Sequence, residues 1–177
     1  MIANKALQPG KLSQMIRLEQ ILTPGRSLTN VPGGSKKRVL EQIAQLIARD
    51  LPDLDAQDIF ESLISREKLG STGFGNGIAI PHCRLPGCAA PISAVLHLEA
   101  AVDFDAIDGA PVDLLFVLLV PEQANETHLQ LLSELAQMFS DRSFREELLN
   151  APDAATLHAM FANWGSSDAS DQRLPAV

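Results

Sequence analysis

The residues best suited to chemistry in this sequence are His82 and the glycine-rich run before it. The stretch reads Gly73-Phe74-Gly75-Asn76-Gly77-Ile78-Ala79-Ile80-Pro81-His82-Cys83. Glycine reaches backbone angles closed to other residues and lets a ligand or another backbone approach closely. Residues 78–80 form an apolar run short enough to be a strand, and Pro81, which lacks an N–H, is expected to end its pairing. This order predicts an imidazole at the end of a strand beside accessible backbone N–H groups, which suits a nucleophile that carries an anion.

The glycine run matches neither of the common phosphate-binding fingerprints. A P-loop requires Gly-Lys-Ser/Thr after the glycines, and a dinucleotide fingerprint requires a strand before them and a helix after them. Here the glycines precede a strand, so the remaining functional interpretation is an anion-binding loop beside His82. The structural alternative is that His82 is only a polar residue that closes a strand.

Arg66 and His128 are further candidates, although each also has an ordinary structural explanation. Arg66 lies at a predicted helix end, where a guanidinium can bind phosphate bidentately or simply complement the helix dipole. His128 lies in the first turn of a predicted helix, on the face that carries Leu131 and Leu135, so its ring points at the edge of the core. A helix N-terminus favours a neutral imidazole and a nearby anion, but a hydrogen bond to a backbone carbonyl would also account for this histidine.

The remaining histidines and the cysteines carry weaker signals. We interpret His97 and His158 as structural or solvated. Cys83 and Cys88 next to His82 lack a fourth ligand of similar quality, so no metal site is predicted. A Ser-His-Asp hydrolase is disfavoured because the sequence has no Gly-x-Ser-x-Gly elbow.

Composition and charge limit the classes of partner. The 177 residues have a net charge of −8, no tyrosine and one tryptophan, which disfavours nucleic-acid binding. The only compact basic cluster, residues 36–38, is interpreted as a solvated helix start. The longest apolar run, residues 114–120, is far shorter than the roughly 20 residues that span a bilayer, and the N-terminus lacks the apolar segment of a signal peptide. We therefore expect a cytoplasmic protein without membrane insertion.

The elements that must position these residues indicate an α/β domain. Strands are predicted over 26–31, 78–80, 92–98 and 113–120, the last of them apolar on both faces and therefore central, with helices on both sides. Four helices are predicted to begin after capping residues, namely Ser35, Asp55, Asn125 or Thr127, and Ser143, and a last helix is predicted to start at Pro152-Asp153. Together they predict a three-layer α/β/α sandwich around a small mixed sheet. We expect a flexible N-terminal arm over 1–13, a folded domain over 14–164 and a disordered C-terminal tail over 165–177.

These motifs resemble the phosphorylation-site signature of the fructose/mannitol-type EIIA domains of the bacterial phosphotransferase system. The resemblance is carried by Glu67, by Phe74-Gly75 and by residues 78–83, and it extends through residues 66–73 and 126–129. It covers roughly residues 18–163. Within this family the chain is most similar to the nitrogen-regulatory EIIA proteins, through residues 29–31, 35–41 and 73–82. One departure is Cys83, which stands where glycine is common.

The resemblance implies an EIIA type-2 domain over 14–164 with the mannitol EIIA-like fold, and it implies a role for each candidate residue. His82 would accept a phosphoryl group on Nε2 from the phosphohistidine of an HPr-like carrier protein (NPr). His128 would hydrogen-bond the phosphoryl oxygens or hold the transition state, and Arg66 would stabilise the charge of the phosphoryl group. The N–H groups around Ser71, Thr72 and Gly73 would assist as a phosphate-binding loop. No cofactor and no metal are implied.

The resemblance leaves three functions open. The first is a nitrogen-regulatory phosphocarrier that controls partner proteins, such as potassium transport regulators or sensor kinases, according to its phosphorylation state. The second is a sugar-specific component for fructose or mannitol that passes phosphate to an EIIB. The third is a binding module in which His82 is never phosphorylated and the glycine run only docks a partner.

Overall fold

The computed structural model of the chain describes residues 17–164. The predicted arm over 1–13 and tail over 165–177 lie outside the described residues, as do residues 14–16 of the predicted domain. Within the described range, six strands form one mixed sheet with helices packed against both faces. The predicted α/β class and its three-layer arrangement are therefore confirmed.

Helices and strands follow one another in an order that gathers five strands in the middle of the chain. The helices are α1 (Leu18–Ile21), α2 (Lys36–Asp50), α3 (Ala56–Leu69), α4 (Asn125–Ser140), α5 (Arg142–Leu149) and α6 (Ala154–Ala162). The strands are β1 (Ser27–Val31), β2 (Gly73–Gly75), β3 (Ile78–Ala79), β4 (His82–Arg84), β5 (Ile92–Val102) and β6 (Val112–Val120).

Strand β6 is the centre of the sheet. The sheet order is β1-β5-β6-β3-β2, and β4 also pairs with β6. Strand β5 runs antiparallel to β6, whereas β3 and β4 run parallel to it. Every residue from 114 to 120 is fully buried. The prediction of a central strand covered on both faces is confirmed, because an apolar run without alternation can be accommodated only there.

Alternate residues of β6 face two separate cores. Residues 115, 117 and 119 pack with α2 and α3, which contribute aliphatic side chains such as Ile43 and Leu63. Residues 114, 116, 118 and 120 pack with α1, α4, α5 and α6, in a core rich in phenylalanine. Each fully buried large apolar side chain stabilises the fold by about 1.5–3 kcal/mol, so both cores hold the sheet rigid between its helices.

The predicted helix caps Ser35 and Asp55 are confirmed, and α6 begins after Asp153, where its start was predicted. The side chains of Ser35, Asp55 and Asp153 each accept a hydrogen bond from a backbone N–H three residues further along the chain. These bonds satisfy N–H groups that have no partner within the helix.

Two predicted caps are wrong. The cap of α5 is Asp141, which accepts from the N–H of Phe144, and the predicted cap Ser143 already lies inside the helix. Helix α4 begins at Asn125 and has Ala124 at its N-cap position, without a side-chain cap bond. The prediction that Asn125 or Thr127 would cap α4 fails because the helix starts earlier than its polar residues suggest.

The glycine run forms a β-hairpin and is not an open loop. Strands β2 and β3 pair antiparallel across the turn Asn76-Gly77, whose φ angles are 57° and 81°. An Asn-Gly pair is a strong hairpin signal because both residues tolerate positive φ, and the interpretation as a loop overlooked it. The hairpin also packs closely on the β5–β6 connection: a Cβ on Gly73 would lie 2.7 Å from the Cβ of Ala106.

Pro81 does not end the strand pairing, contrary to the prediction. Its carbonyl accepts the N–H of Leu118 at 2.9 Å, and β4 continues alongside β6 from His82 onwards. Proline lacks only the donor, so a strand that uses the proline carbonyl can continue past it. His82 therefore lies at the beginning of an edge strand, where it is held by the central strand of the sheet.

The basic cluster at residues 36–38 is not merely a solvated helix start. Lys36 has a side chain only 18% exposed, and its Nζ lies 2.8 Å from the carboxylate of Glu67.

Among the helices within 17–164, none is long and apolar enough to cross a bilayer.

Candidate functional site

Three of the candidate residues meet at the edge of the sheet. His82 is the first residue of β4, Arg66 lies in the last turn of α3, and His128 lies in the first turn of α4. All three line one open cavity of about 780 Å³. The sheet separates α3 from α4, so only its edge allows residues from both helices to approach the same strand.

The ring of His82 is held in one orientation. Its Nδ1 lies 2.7 Å from the carbonyl oxygen of Ile80. A carbonyl can only accept, so we assign the proton to Nδ1, which leaves the lone pair on Nε2. Burial lowers the pKa of His82 below its ordinary 6.5, and the charge of Arg66 acts in the same direction, against the bond to Ile80. The imidazole is therefore neutral at physiological pH, which is the nucleophilic form.

His128 faces His82 edge-on. The ring centroids are 5.4 Å apart and the ring planes are at 84°. Burial is the largest cause that lowers the pKa of His128, followed by the charges of His82, Arg84 and Arg66. Its buried Nδ1 has no hydrogen-bond partner within the part of the chain that the structure describes. The second imidazole is thus also neutral, and it retains unused hydrogen-bonding capacity.

Arg66 supplies positive charge to the site. Its Nη1 donates to the carbonyl of Gly70 at 2.9 Å, which anchors the guanidinium at the end of α3. That charge lowers the pKa of both His82 and His128, so it lies within electrostatic range of both rings. One fixed cation and two neutral imidazoles around an open cavity form a suitable environment for an anion.

The predicted phosphate-binding loop is placed differently. Ser71, Thr72 and Gly73 lie outside the set of residues that line the cavity. The N–H of Thr72 donates to the carboxylate of Glu67, and the N–H of Gly73 donates to Oγ of Ser71 at 3.0 Å. The structure therefore brings Arg66, His82 and His128 together and directs these two N–H groups into contacts within the protein.

Several residues of the cavity were not predicted. Arg84 lies two positions after His82 on the same face of β4, and its charge contributes to the lowered pKa of His128. Strand alternation could have identified it, because side chains at i and i+2 share a face. The other wall is the outward face of α3, formed at helical spacing by Asp58, Glu61, Ser62, Ser65 and Leu69.

The other histidines make structural contacts away from the cavity, whereas Cys83 belongs to its lining. His97 Nε2 lies 3.6 Å from Asp113, and His158 Nε2 lies 3.0 Å from the carbonyl of Leu22. Both cysteines are buried free thiols, and burial raises the pKa of Cys83 to about 12. Within residues 17–164 there is no group of three or more His, Cys, Asp or Glu residues that could hold a metal ion.

The fold and the site define a class of protein that comparison with known families identifies. The model of the family described as "Phosphoenolpyruvate-dependent sugar phosphotransferase system, EIIA 2" matches residues 20–164. The chain therefore belongs to this family, whose members are phosphotransfer carriers of the phosphotransferase system.

Similar proteins narrow the position within the family. The chain is 74% identical over 144 residues to the nitrogen regulatory protein of Pseudomonas aeruginosa, covering 81% of this chain and 94% of that protein. The crystal structure of nitrogen regulatory protein IIA-Ntr from Neisseria meningitidis superposes with a TM-score of 0.77 at 43% identity, over 81% of this chain and 97% of that one. The predicted nitrogen-regulatory resemblance is thereby confirmed.

A more distant structure supports the fold alone. IIA mannitol from Escherichia coli superposes with a TM-score of 0.61 at 16% identity, over 82% of this chain and 98% of that one. This confirms the predicted mannitol EIIA-like fold.

Proposed function

We propose that this chain is a cytoplasmic nitrogen-regulatory phosphocarrier that accepts a phosphoryl group on Nε2 of His82 from an HPr-like protein (NPr). The proposal rests chiefly on one observation. The hydrogen bond from Nδ1 of His82 to Ile80 leaves Nε2 as the basic nitrogen, in a cavity shared with Arg66 and His128. Membership of the EIIA family and the nitrogen regulatory relatives support the same assignment.

The chemistry requires no group beyond the two proteins. The Nε2 lone pair of His82 attacks phosphorus, the P–N bond of the donor phosphohistidine breaks, and its electron pair returns to the donor imidazole. Transfer of this kind demands positioning and charge stabilisation more than covalent work by the protein. Arg66 neutralises charge on the transferring oxygens, and His128 hydrogen-bonds one of them. Ser71, Thr72 and Gly73 would assist from the hairpin only if their N–H groups exchanged their present partners.

Regulation follows from the charge that phosphorylation adds. A phosphoryl group brings about −2 charge to the surface around His82 and changes which contacts are favourable there. The exposed Leu69 and Leu129, neighbours of the site on α3 and α4, supply apolar surface beside it. Partners such as potassium transport regulators or sensor kinases would thus distinguish the phosphorylated form from the free form.

The assignment is tested with a phosphorylated HPr-type carrier. Wild-type protein should become phosphorylated in an acid-labile, base-stable form, as expected for phosphohistidine, and His82→Ala should not. Phosphorylation of His82→Ala at the wild-type rate would show that the phosphorylated residue is not His82. Absence of the modification in the wild type, both in this assay and in cells with an intact carrier chain, would favour an unphosphorylated binding module.

The description of the matched family favours a second candidate, because it names a sugar phosphotransferase system. In that case the chain would pass its phosphoryl group to an EIIB of a fructose- or mannitol-type transporter. Incubation of the phosphorylated protein with purified EIIB domains of both types distinguishes the two. Rapid transfer to an EIIB would identify a sugar-specific component, and stable retention would favour the regulatory carrier.

A further inference from the structure

Glu67 is a charged residue of the signature to which the proposed chemistry assigns no role. It follows Arg66 in the last turn of α3, yet its side chain is only 2% exposed and does not line the cavity. A buried carboxylate is costly unless it is fully paired. Its position therefore requires an explanation that neither the cavity nor the hydrophobic core supplies.

The contacts of Glu67 join three elements of the fold. Both carboxylate oxygens accept the N–H of Thr72 at 3.2 Å, and one also accepts the hydroxyl of Thr72. The other lies 2.8 Å from Nζ of Lys36, at the start of α2. Glu67 thus ties the end of α3 to the beginning of α2 and to the segment that leads into the glycine hairpin.

From Thr72 a continuous set of hydrogen bonds reaches the imidazole of His82. The carbonyl of Thr72 accepts the N–H of Ile80 at 2.9 Å. The carbonyl of Ile80 in turn lies 2.7 Å from Nδ1 of His82. The group that determines which nitrogen of His82 carries the proton is therefore held in place by a residue whose own position depends on Glu67.

We propose that Glu67 is a positioning residue for phosphoryl transfer, which acts through Thr72 and Ile80 to keep His82 in the tautomer with its proton on Nδ1. With Glu67 in place, the Ile80 carbonyl stays directed at Nδ1 and Nε2 remains free to attack. Without it, the segment around Thr72 is held less firmly, and the tautomer with the proton on Nε2, which cannot attack, becomes more populated. The effect on transfer rests on the proposed function, whereas the effect on the tautomer does not.

Glu67→Gln is the primary test because it preserves shape while placing an NH₂ group among donors from Lys36 and Thr72. The tautomer of His82 is measured from the ¹⁵N NMR shifts of its ring nitrogens at a pH where the ring is neutral. We expect a clear rise in the Nε2-protonated form. The phosphorylation rate should fall by roughly tenfold, with KM for the carrier little changed, because a small misplacement near the reacting atom lowers the rate of the step itself.

A second pair of variants separates the hydroxyl contact from general instability. Thr72→Val removes the hydroxyl and keeps the backbone N–H, so we expect a smaller shift in the same direction. Thr72→Ser keeps both groups and should restore wild-type behaviour. The matched control is Asp50→Asn, which removes the carboxylate from the Arg26–Asp50 pair, where the Arg26 side chain is only 7% exposed and neither residue lines the cavity.

The outcomes separate this proposal from the proposed function. A folded Glu67→Gln protein with wild-type tautomer and rate overturns the role of Glu67, as does an equal tautomer change in Asp50→Asn. If Glu67→Gln does not fold, an unchanged tautomer in Thr72→Val overturns it. If even wild-type protein accepts no phosphoryl group, the proposed function fails, and the tautomer comparison alone then supports or overturns the positioning role.

Discussion

His82 and His97 both lie on strands that pair with β6, but their ring nitrogens face different groups. His82 is paired in register with Leu118, and His97 with Leu114, on opposite sides of the central strand. Both rings are partly buried. They differ in what their nitrogens meet: a carbonyl holds Nδ1 of His82, whereas a carboxylate, that of Asp113, lies 3.6 Å from Nε2 of His97.

The difference shows that burial and a strand position do not by themselves make a nucleophile. A carbonyl fixes one tautomer and leaves the imidazole neutral, so the other nitrogen keeps its lone pair. The carboxylate of Asp113 lies 3.6 Å from Nε2 of His97, too far for a hydrogen bond that would fix one tautomer of that ring. His82 also lies beside an open cavity with a cation, while His97 lies outside the residues that line it.

The largest expected effect comes from replacing each histidine by glutamine. His82→Gln should abolish phosphorylation by the carrier, because the amide cannot act as the nucleophile. His97→Gln should stay within about twofold of the wild-type rate, as expected for a residue without a role at the site. The two rates are measured with the same phosphorylated carrier. Equal loss in both variants would mean that the comparison between the two rings is wrong.

Changing Arg66 should produce the next largest effect. Arg66→Gln should lower the phosphorylation rate by about 100-fold, since it removes a preorganised charge from the transferring phosphoryl group. The phosphorylation rate of Arg66→Lys should lie between those of Arg66→Gln and the wild type, because lysine keeps the positive charge but lacks the planar guanidinium that binds two oxygens at once. Single-turnover rates check this. A wild-type rate for Arg66→Gln would contradict the proposal that Arg66 stabilises the charge of the transferring phosphoryl group.

The lowered pKa values of His82 and His128 predict that stability and phosphorylation depend on pH, with a smaller effect than the Arg66 substitutions. Burial disfavours the charged rings, so below pH 6.5 the unfolded chain binds protons more readily than the folded one. The free energy of unfolding should therefore be highest above about pH 6.5 and decrease as pH falls toward the lowered folded values. For the same reason the phosphorylation rate should decrease at lower pH than it would with an ordinary imidazole, because the lowered pKa of His82 keeps a larger fraction of the ring neutral.

Urea unfolding and phosphorylation rates between pH 8 and pH 5.5 measure both effects. The control is the variant with glutamine at both positions 82 and 128, in which the stability difference across this window should shrink. If that variant keeps the full wild-type pH dependence, the two imidazoles are not its source.

The smallest expected effect belongs to the partner of His97. Asp113→Asn removes the carboxylate beside that ring, at a site where the side chain of Asp113 is 31% exposed. Partly exposed pairs contribute little, so the free energy of unfolding should fall by less than about 1 kcal/mol. Phosphorylation should be unchanged. A large loss of phosphorylation would show that the environment of His97 is coupled to the site across β6.

Much of the architecture was predictable because it follows from short-range patterns. The unbroken apolar run of β6 predicts the central strand, Ser35 and Asp55 predict helix caps, and Pro152-Asp153 predicts the start of α6. The hairpin was also predictable, because Asn76-Gly77 is a common two-residue hairpin turn. The interpretation of the glycine run as a loop did not take this signal into account. The strand pairing beyond Pro81 was not predictable from the sequence, because it depends on whether a neighbouring strand offers an N–H to the proline carbonyl.

The sequence by itself determined the family, and it predicted His82 as the reactive group of the proposed function. The motif from Glu67 through His82 is defined by sequence spacing alone, so it can be recognised without knowing how the helices and strands pack. Only the tertiary structure decided that Arg66 and His128 reach the same cavity, because each lies on a helix on a different face of the sheet. It also decided which nitrogen of His82 is free, since that depends on the direction of one carbonyl, which hydrogen bonds from distant parts of the chain hold in place.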